Sequence, residues 1–402
     1  MSRHAERPCP ICLCSEVTVL HRQCLQQPEG SPLPGEYDVV ACPNCGMVYA
    51  NTPVRQGAYD LYYEEHSKYE DPAIASGGGT SDLDRTRLEL LADRIAAHAR
   101  PTARILDIGC ANGGLLDALR RRGYQSLHGV DAAPACVQEV RGKGITATRT
   151  ALSKLSSSGI AGQFDVIVLS HVLEHVADLS GLMASAAKLL TPRGMIYAET
   201  PDAARYADFP FVPFYFFDSE HINHFDAIRL GALGSFCGFD TQAAGTVDLG
   251  VGPAVLYPAC WIWLRRNTGS KPTALPEDRE LEKAVKRYIQ KCKSADSFVQ
   301  LERLAATGQP IIIWGAGSFA QRLFGGGLLG RCRVVAVVDR DRNKQGLNFG
   351  GFVVQSPEAA LTVRPDAIVV VAAAIHGPAI AAELELAWPL ARAVLLTSTH
   401  QE

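Results

Sequence analysis

One short stretch, Asp218 to Asp226, packs three carboxylates and two histidines into nine residues. Histidine titrates near neutral pH, and a neighbouring carboxylate raises its basicity. The adjacent pair Glu220 and His221 is therefore a candidate general base, in which His221 takes a proton from an acceptor and Glu220 supports it. Three other interpretations stay open: a solvated surface loop, a second metal site, or, for His224, the start of a helix capped by Asp226.

Four cysteines near the N-terminus form a second group, and their spacing suits metal binding. The motifs CPIC and CPNC each separate two thiols by two residues, so that each pair can chelate one ion from a tight turn. Two such pairs supply the four ligands of a tetrahedral Zn2+ site, which leaves no open position for catalysis. The chain has 12 cysteines and no apolar signal peptide at its start, which favours metal binding over disulfides. The predicted zinc ligands are Cys9, Cys12, Cys42 and Cys45.

A third group surrounds the run DIGCANGG, residues 107–114. A dinucleotide fingerprint lets a helix N-terminus meet a pyrophosphate, but the acid before the first glycine here would repel phosphate. An acid in that place suits a cationic ligand without phosphate. S-adenosylmethionine fits, because its sulfonium and ammonium are positive and its ribose hydroxyls can pair with Asp131. The predicted cofactor-binding residues are Asp107, Gly109, Cys110, Gly113, Asp131, Ala132, Ser170 and His171.

Alternating strands and helices must position this third group. Residues 104–108 are predicted as a buried strand, followed by the glycine turn and a helix. A second strand ends at Asp131, and a third, Phe164 to Leu169, ends just before Ser170 and His171. The carboxyl ends of parallel strands meet at one edge of a sheet, so these side chains converge there. The sequence therefore predicts an α/β fold with its cofactor site at that edge.

The C-terminal part of the chain repeats this pattern with different residues. The run QPIIIWGAGSFAQRL predicts a strand, a turn with Gly315, Gly317 and Ala320, and a helix; Asp339 lies 24 residues after Gly315. Such a turn either binds a dinucleotide or serves helix–strand packing alone, and no pair of residues suited to hydride transfer accompanies it. We expect this domain to anchor substrate or act as a scaffold, with dinucleotide binding as the alternative. Residues 277–306 are predicted as one long amphipathic helix before it.

Length and composition limit the function classes. The 402 residues predict two or three domains. The net charge of 39 − 42 = −3 disfavours binding driven by nucleic-acid phosphates. The sequence has no run of 18 apolar residues, so it predicts no membrane span. We expect a cytoplasmic protein with a small-molecule substrate and with neither a membrane nor a nucleic-acid partner. Residues 46–72 contain five tyrosines, which predict a segment that packs on the next domain as a lid. The oligomeric state does not follow from the sequence.

The central motifs resemble those of the class I S-adenosylmethionine-dependent methyltransferases. Their glycine-rich first motif is matched by Asp107, Gly109 and Gly113, and their ribose-binding acid by Asp131. The segment LEHV, residues 173–176, is a feature shared across that fold. Its glutamate and histidine are therefore interpreted as packing and capping groups rather than catalysts.

The order of the three parts resembles the sugar C-methyltransferases of deoxysugar biosynthesis, over nearly all 402 residues. In that family a Tyr-x-Glu-His motif supplies a histidine that removes a proton next to a keto carbon of a nucleotide-linked sugar. Glu220 and His221 match this motif, whereas Asp218 stands in place of the tyrosine. Methylation on oxygen of a sugar or another small metabolite is the alternative, as is a non-enzymatic, zinc-stabilised nucleotide-binding module.

The resemblance also implies a fold and a set of boundaries. The fold is a class I methyltransferase Rossmann-like domain between an N-terminal four-cysteine zinc module and a second, C-terminal Rossmann-like domain. The implied divisions are a zinc module and lid (1–75), a methyltransferase domain (76–265), a connecting helix (266–306) and a substrate-anchoring domain (307–402).

Overall fold

The computed structural model describes residues 3–65, 77–160, 162–209, 212–252, 255–267, 276–374 and 376–396. The chain divides into two compact units, each built from three segments. The first unit consists of Met1–Thr18, Val40–Arg205 and Ile222–Glu282, and the second of Val19–Val39, Tyr206–His221 and Lys283–Glu402. One tyrosine of the predicted lid, Tyr69, lies outside the described residues. Within the described residues, no helix combines the length and apolar character needed to cross a membrane.

The described residues 3–65 contain four strands and one helix. They are β1 (Arg3–His4), β2 (Glu16–Cys24), β3 (Glu36–Ala41), β4 (Val48–Asn51) and α1 (Gln56–Glu65). β1 pairs antiparallel with β2, and β4 pairs antiparallel with a later two-residue strand, Asn223–His224. The predicted cysteine ligands flank these strands, so the strands hold the two cysteine pairs in place.

A seven-stranded sheet forms the centre of the first unit. Its strands are β5 (Ile105–Ile108), β6 (Leu127–Asp131), β7 (Thr146–Arg149), β8 (Phe164–Ser170), β9 (Leu190–Pro201), β11 (Phe239–Gly252) and β12 (Val255–Arg266), with β10 (Asn223–His224) outside it. Its helices are α2 (Asp82–Ala96), α3 (Gly114–Arg121), α4 (Pro134–Gly142), α5 (Leu179–Leu189) and α6 (Ala227–Phe236). The strand order is β11-β12-β9-β8-β5-β6-β7.

The direction of these strands places the site. β5 to β9 pair in parallel, whereas β12 pairs antiparallel with β9 and β11 antiparallel with β12. The chain order reverses beside β5, which has β6 on one side and β8 on the other. Ligands of open α/β sheets bind at such a switch point, outside the carboxyl ends of the strands. The predicted α/β fold is therefore present, and the predicted cofactor-binding residues follow its strands.

The predicted connecting helix is two helices in the structure, α7 (Glu280–Lys293) and α8 (Asp296–Thr307). The break falls at Ser294 and Ala295. The Ser294 hydroxyl donates to the carbonyls of Gln290 and Lys291, and Ala295 has extended backbone angles of φ −68° and ψ 137°. A serine hydroxyl that bonds to the preceding turn offers the backbone an alternative to helix, which periodicity of apolar residues does not reveal.

A second sheet belongs to the second unit. Its strands are β13 (Pro310–Trp314), β14 (Arg333–Val338), β15 (Asn348–Phe349), β16 (Phe352–Gln355), β17 (Ile368–Val371) and β18 (Arg392–Leu395). Its helices are α9 (Ser318–Gly325), α10 (Pro357–Val363) and α11 (Gly377–Ala387). The order is β15-β16-β14-β13-β17-β18, and all pairs except β15–β16 are parallel.

Candidate active site and metal centre

The glycine turn after β5 has backbone angles that favour glycine. Gly109 and Gly113 have φ angles of 76° and 74°. An added Cβ would lie 2.8 Å from a Val172 methyl at Gly109 and 2.7 Å from a Val140 methyl at Gly113. The two glycines therefore let the backbone bend tightly while Val172 and Val140 pack against the turn.

The carboxylate of Asp131, at the end of β6, closes this turn. Its Oδ2 accepts from the Ala111 amide at 2.9 Å and its Oδ1 from the Ala133 amide at 3.0 Å. Burial raises the pKa of Asp131, and the backbone amides oppose that rise. The carbonyl of Ala132 accepts from Arg149. The structure thus brings the predicted ribose-binding acid against the predicted turn.

Asp107, the last but one residue of β5, is a second buried acid at this place. It is 3% exposed. Burial raises its pKa to about 7, with a further rise from the charge of Asp131 and an opposing effect of Arg87. Two neighbouring acids favour a cationic ligand, because a positive group stabilises both carboxylates. By contrast, Cys110 turns its buried thiol toward its own chain, with Sγ 3.7 Å from the Ala111 carbonyl, so only its backbone faces the turn.

His171 follows β8 and Ser170 and has a strained backbone, with φ of 54°. Its Nδ1 lies 3.1 Å from a Glu174 carboxylate oxygen and its Nε2 3.6 Å from one of Glu199. Burial lowers the pKa of His171, but hydrogen bonds to Glu174 and Glu199 outweigh it and raise the pKa to about 9. At neutral pH His171 is therefore an imidazolium, which cannot accept a proton from a substrate.

Sequence reasoning missed the partners of Glu199. This residue is 1% exposed near the end of β9, and its Oε2 accepts from Arg94 and from the Tyr197 hydroxyl, both at 2.7 Å. Burial raises the pKa of Glu199, but the bond to His171 and the charges around it lower the pKa overall. Glu199 could have been recognised from the sequence, because it is an acid near the end of a predicted buried strand. No local pattern in the sequence identifies Arg94.

A second missed pair is His175 and Tyr63. A hydrogen bond of 2.8 Å joins the Tyr63 hydroxyl to Nδ1 of His175. The two residues are 112 positions apart in the chain, so no local pattern could have paired them. Their bond brings α1, part of the predicted lid, against the shared segment LEHV. This hydrogen bond gives His175 a partner outside its own segment and is compatible with the packing and capping role expected from the sequence.

The four predicted cysteine ligands converge in the first unit. Sγ atoms are 3.5 Å apart in Cys9–Cys45 and in Cys12–Cys42, and all four lie within 4.8 Å of one another. A disulfide needs about 2.05 Å between sulfurs. A tetrahedral Zn2+ with bonds of about 2.3 Å spaces its thiolates by about 3.8 Å, so the residues fit this ion.

Buried charges support the second cysteine pair. The fully buried Arg229 donates to the Cys45 carbonyl and to the carboxylates of Asp226 and Asp278. The same Asp226 carboxylate accepts from the Arg229 amide, which confirms the predicted cap of α6. A Cβ at Gly46 would lie 2.6 Å from the Arg229 guanidinium, so glycine is required beside the pair.

Comparison with known proteins identifies the class of the central part of the chain. Residues 82–243 match the profile of the family described as "Methyltransferase domain". The chain contains a class I, S-adenosylmethionine-dependent methyltransferase domain. This domain covers α2, the parallel strands of the central sheet and the start of β11, and it includes every predicted cofactor-binding residue.

Curated relatives match the methyltransferase domain over part of their length. The ubiquinone biosynthesis O-methyltransferase of Xanthomonas campestris pv. campestris (strain B100) is 32% identical over 123 residues, which are 29% of this chain and 50% of that protein. The protein of the same name from Sinorhizobium medicae (strain WSM419) is 28% identical over 164 residues, or 38% of this chain and 65% of that protein. The chain therefore spans between half and two thirds of these two relatives.

Solved structures are similar at a lower level. Magnesium protoporphyrin IX methyltransferase from Synechocystis PCC 6803 with bound SAM is 14% identical, with a TM-score of 0.38, and the match covers 53% of this chain and 97% of that one. The Burkholderia thailandensis 1,6-didemethyltoxoflavin-N1-methyltransferase is 17% identical, with a TM-score of 0.40, covering 55% and 95%. At these scores the acceptor of this chain does not follow from theirs.

Donor affinity is expected to fall in acid because of Asp107. Its carboxyl has a pKa near 7 without ligand, and a cationic donor favours the carboxylate. Below pH 7 the affinity for the donor should therefore drop by up to about tenfold per pH unit, because Asp107 must release its proton when the donor binds. Above pH 7 the affinity should become independent of pH. Calorimetry with S-adenosylmethionine in two buffers of different ionisation enthalpy measures both the donor affinity and the number of protons released. Asp107→Asn should remove the pH dependence; an unchanged pH profile in that variant would contradict the assignment.

Proposed function

We propose that the protein transfers a methyl group from S-adenosylmethionine to a carbon next to the keto group of a nucleotide-linked sugar. The observation that carries the donor half is the turn of Gly109 and Gly113 closed by Asp131, with the buried Asp107 beside it, in a methyltransferase domain. In this proposal Asp131 pairs with the ribose hydroxyls and Asp107 stabilises the cationic end. The bound donor supplies an electrophilic methyl group on a sulfonium.

The acceptor half needs a base that is neutral at working pH. We assign this role to His221, with Glu220 as its partner; both belong to the second unit. His221 takes the proton from the carbon beside the keto group, the resulting enolate carbon forms a bond to the methyl group, and the sulfur keeps the electron pair of the broken bond. His175, bonded to Tyr63, is the second candidate base. His171 is unsuitable, because its two carboxylate neighbours keep it protonated.

The second sheet supports a nucleotide-linked acceptor. After β13 the Ala316 amide donates to Asp339 Oδ2 at 2.8 Å, and the Asp341 amide donates to Oδ1 at 2.9 Å. The same two bonds form around Asp131 in the methyltransferase domain, at 2.9 and 3.0 Å. The second unit thus repeats the backbone geometry of a nucleoside-binding turn, with Lys344 3.3 Å from the Asp339 carboxylate. We assign this turn to anchoring the nucleotide part of the acceptor.

Methylation on oxygen is the second candidate function. The relatives that match the domain carry the name ubiquinone biosynthesis O-methyltransferase. Transfer to oxygen needs a deprotonated hydroxyl in line with the methyl group but no keto group. The same base residues would serve, so the acceptor chemistry must be tested directly.

The deciding experiment is a mass-spectrometric assay in heavy water. The protein is incubated with S-adenosylmethionine and a panel of nucleotide-linked keto- and hydroxy-sugars. A product heavier by one methyl, with deuterium entering beside the keto group, supports carbon methylation. Methyl gain without exchange supports the oxygen alternative. If no sugar gains a methyl, the acceptor proposal is wrong even if the donor binds.

His221→Ala is expected to lower kcat by about 10²-fold or more, the usual loss with a general base. Donor affinity, measured by calorimetry, should stay unchanged. His175→Ala is the comparison that separates the two candidate bases. If His221→Ala turns over like the unaltered protein while His175→Ala does not, the base is His175 and our assignment fails.

A further inference from the structure

The side chain of Arg7, two residues before the first zinc-site cysteine, reaches into the methyltransferase domain. It is only 8% exposed. Its main-chain amide is held by the Asn51 side chain at 3.1 Å. Its guanidinium donates to four acceptors, the carbonyls of Val176 (3.4 Å), Ala177 (3.1 Å) and Ile222 (3.3 Å) and Oδ1 of Asn223 (2.9 Å).

Asn223 completes the same network from the other side. Its Nδ2 donates to the carbonyls of Leu173 and Val176, both at 2.8 Å. The adjacent Ile222 amide donates to the Glu174 carbonyl, also at 2.8 Å. Together with Arg7, these donors bond to four of the five carbonyls between residues 173 and 177. The segment is a 3₁₀ turn, Leu173–His175, followed by extended backbone, so it satisfies few of these carbonyls by itself.

Two side chains of this segment have polar partners among the residues described above. A carboxylate oxygen of Glu174 lies 3.1 Å from Nδ1 of His171, and Nδ1 of His175 lies 2.8 Å from the Tyr63 hydroxyl. Ile222, the residue that follows His221 in the chain, is bonded to the same segment. A shift of these carbonyls would therefore turn the side chains of Glu174 and His175 together. Geometry in an active site matters to within about 1 Å, at a cost of about 10²-fold in rate.

We infer that Arg7 is a positioning residue for methyl transfer: it couples the order of the four-cysteine module to the orientation of Glu174 and His175. The inference rests on the proposed function for its kinetic consequence, but not for its structural one. An arginine suits this task because its planar guanidinium directs several donors in fixed directions. A lysine would keep the charge but could not reach the same set of carbonyls.

The first test is spectroscopic, so that it does not depend on the acceptor. The protein is labelled with 13C-histidine, and the ring resonance of His175 is assigned by its loss in His175→Gln. Arg7→Gln and Arg7→Lys should both shift this resonance, with zinc content and donor affinity unchanged. Asn223→Asp, which removes two donors while keeping the shape, should shift it as well. Arg22→Gln, at an exposed arginine paired with Glu36 and Asp38, is the matched control and should leave it unmoved.

The second test is kinetic. With an accepted substrate, Arg7→Gln should lower kcat by about 10²-fold while the KM for the donor stays within a factor of two, and Arg7→Lys should not restore the rate. An unmoved His175 resonance in folded, zinc-loaded Arg7 and Asn223 variants would overturn the inference. A loss of zinc in these variants, or a shift of the His175 resonance without a change in kcat, would also overturn the inference. Absence of any accepted substrate would contradict the proposed function alone, since the resonance test would still stand.

Discussion

Cys42→Ser is expected to abolish the proposed zinc binding and to unfold the N-terminal module. The four sulfurs converge within 4.8 Å, and serine cannot replace a thiolate ligand. Structural zinc sites contribute about 10–16 kcal/mol of apparent binding free energy, so a module of this size should not stay folded after losing one of four ligands. Elemental analysis should give one zinc per unaltered chain and less than one in the variant. Thermal melting should show a lower midpoint for the variant than for the unaltered protein.

Cys14→Ser is the control for this experiment. Cys14 lies beside the cluster but is not one of its four members, and its thiol points to the Glu16 carbonyl. The control should retain full zinc and the melting curve of the unaltered protein. One zinc per chain in Cys42→Ser would show that the proposed ligand set is wrong. Thiol titration that finds disulfides in the unaltered protein would exclude the metal site altogether.

The loss of zinc is also expected to affect the stability of the methyltransferase domain. Arg229, in its helix α6, donates to the Cys45 carbonyl, and Arg279 donates to the Cys42 carbonyl at 2.7 Å. A buried arginine that loses an acceptor is costly, because its charge has already been removed from water. We therefore expect metal loss to lower the stability of the first unit as a whole rather than of the module alone.

Asp218→Asn is expected to destabilise the second unit by about 3 kcal/mol, the scale for removing one partner of a buried ion pair. The guanidinium of Arg322 in α9 is 3% exposed, and its nearest charge partner is the Asp218 carboxylate at 3.6 Å. Among the described residues no hydrogen bond satisfies Nε, Nη1 or Nη2 of Arg322. Losing the Asp218 charge would leave a buried, unpaired cation. The urea midpoint of the second unit measures the change.

The matched variants are Arg322→Met and the double variant. Methionine fills a similar volume without a charge, so Arg322→Met should be neutral or stabilising, as is common when buried ion pairs become apolar. The double variant Asp218→Asn with Arg322→Met should recover most of the stability. A midpoint of Asp218→Asn equal to that of the unaltered protein would show that the pair contributes nothing.

This ion pair explains the departure at Asp218 from the motif that the sequence resembles. The position expected to hold a tyrosine instead holds the partner of a buried arginine, and Tyr37 donates its hydroxyl to the Asp218 carbonyl at 2.9 Å. Asp218 therefore has a packing role in the second unit.

The sequence alone determined those features that depend on neighbouring residues. The turn of Gly109 and Gly113 was predictable because only glycine adopts its backbone angles beside packed valines. The cysteine pairs were predictable because a two-residue spacing suits one metal ion, and the strands because their apolar runs end at turns. The cap of α6 by Asp226 followed from a local hydrogen-bonding preference.

Only the tertiary structure decided the charges and partners of the site. Tyr63 meets His175 across 112 residues, Arg94 meets Glu199 across 105, and Arg7 meets Asn223 across 216. The sequence marked His171 as a ligand-binding residue, but its protonation depends on two carboxylates that reach it from the turn after β8 and from β9. Such pairs carry no local signal, because a hydrogen bond depends on distance after folding rather than on spacing along the chain.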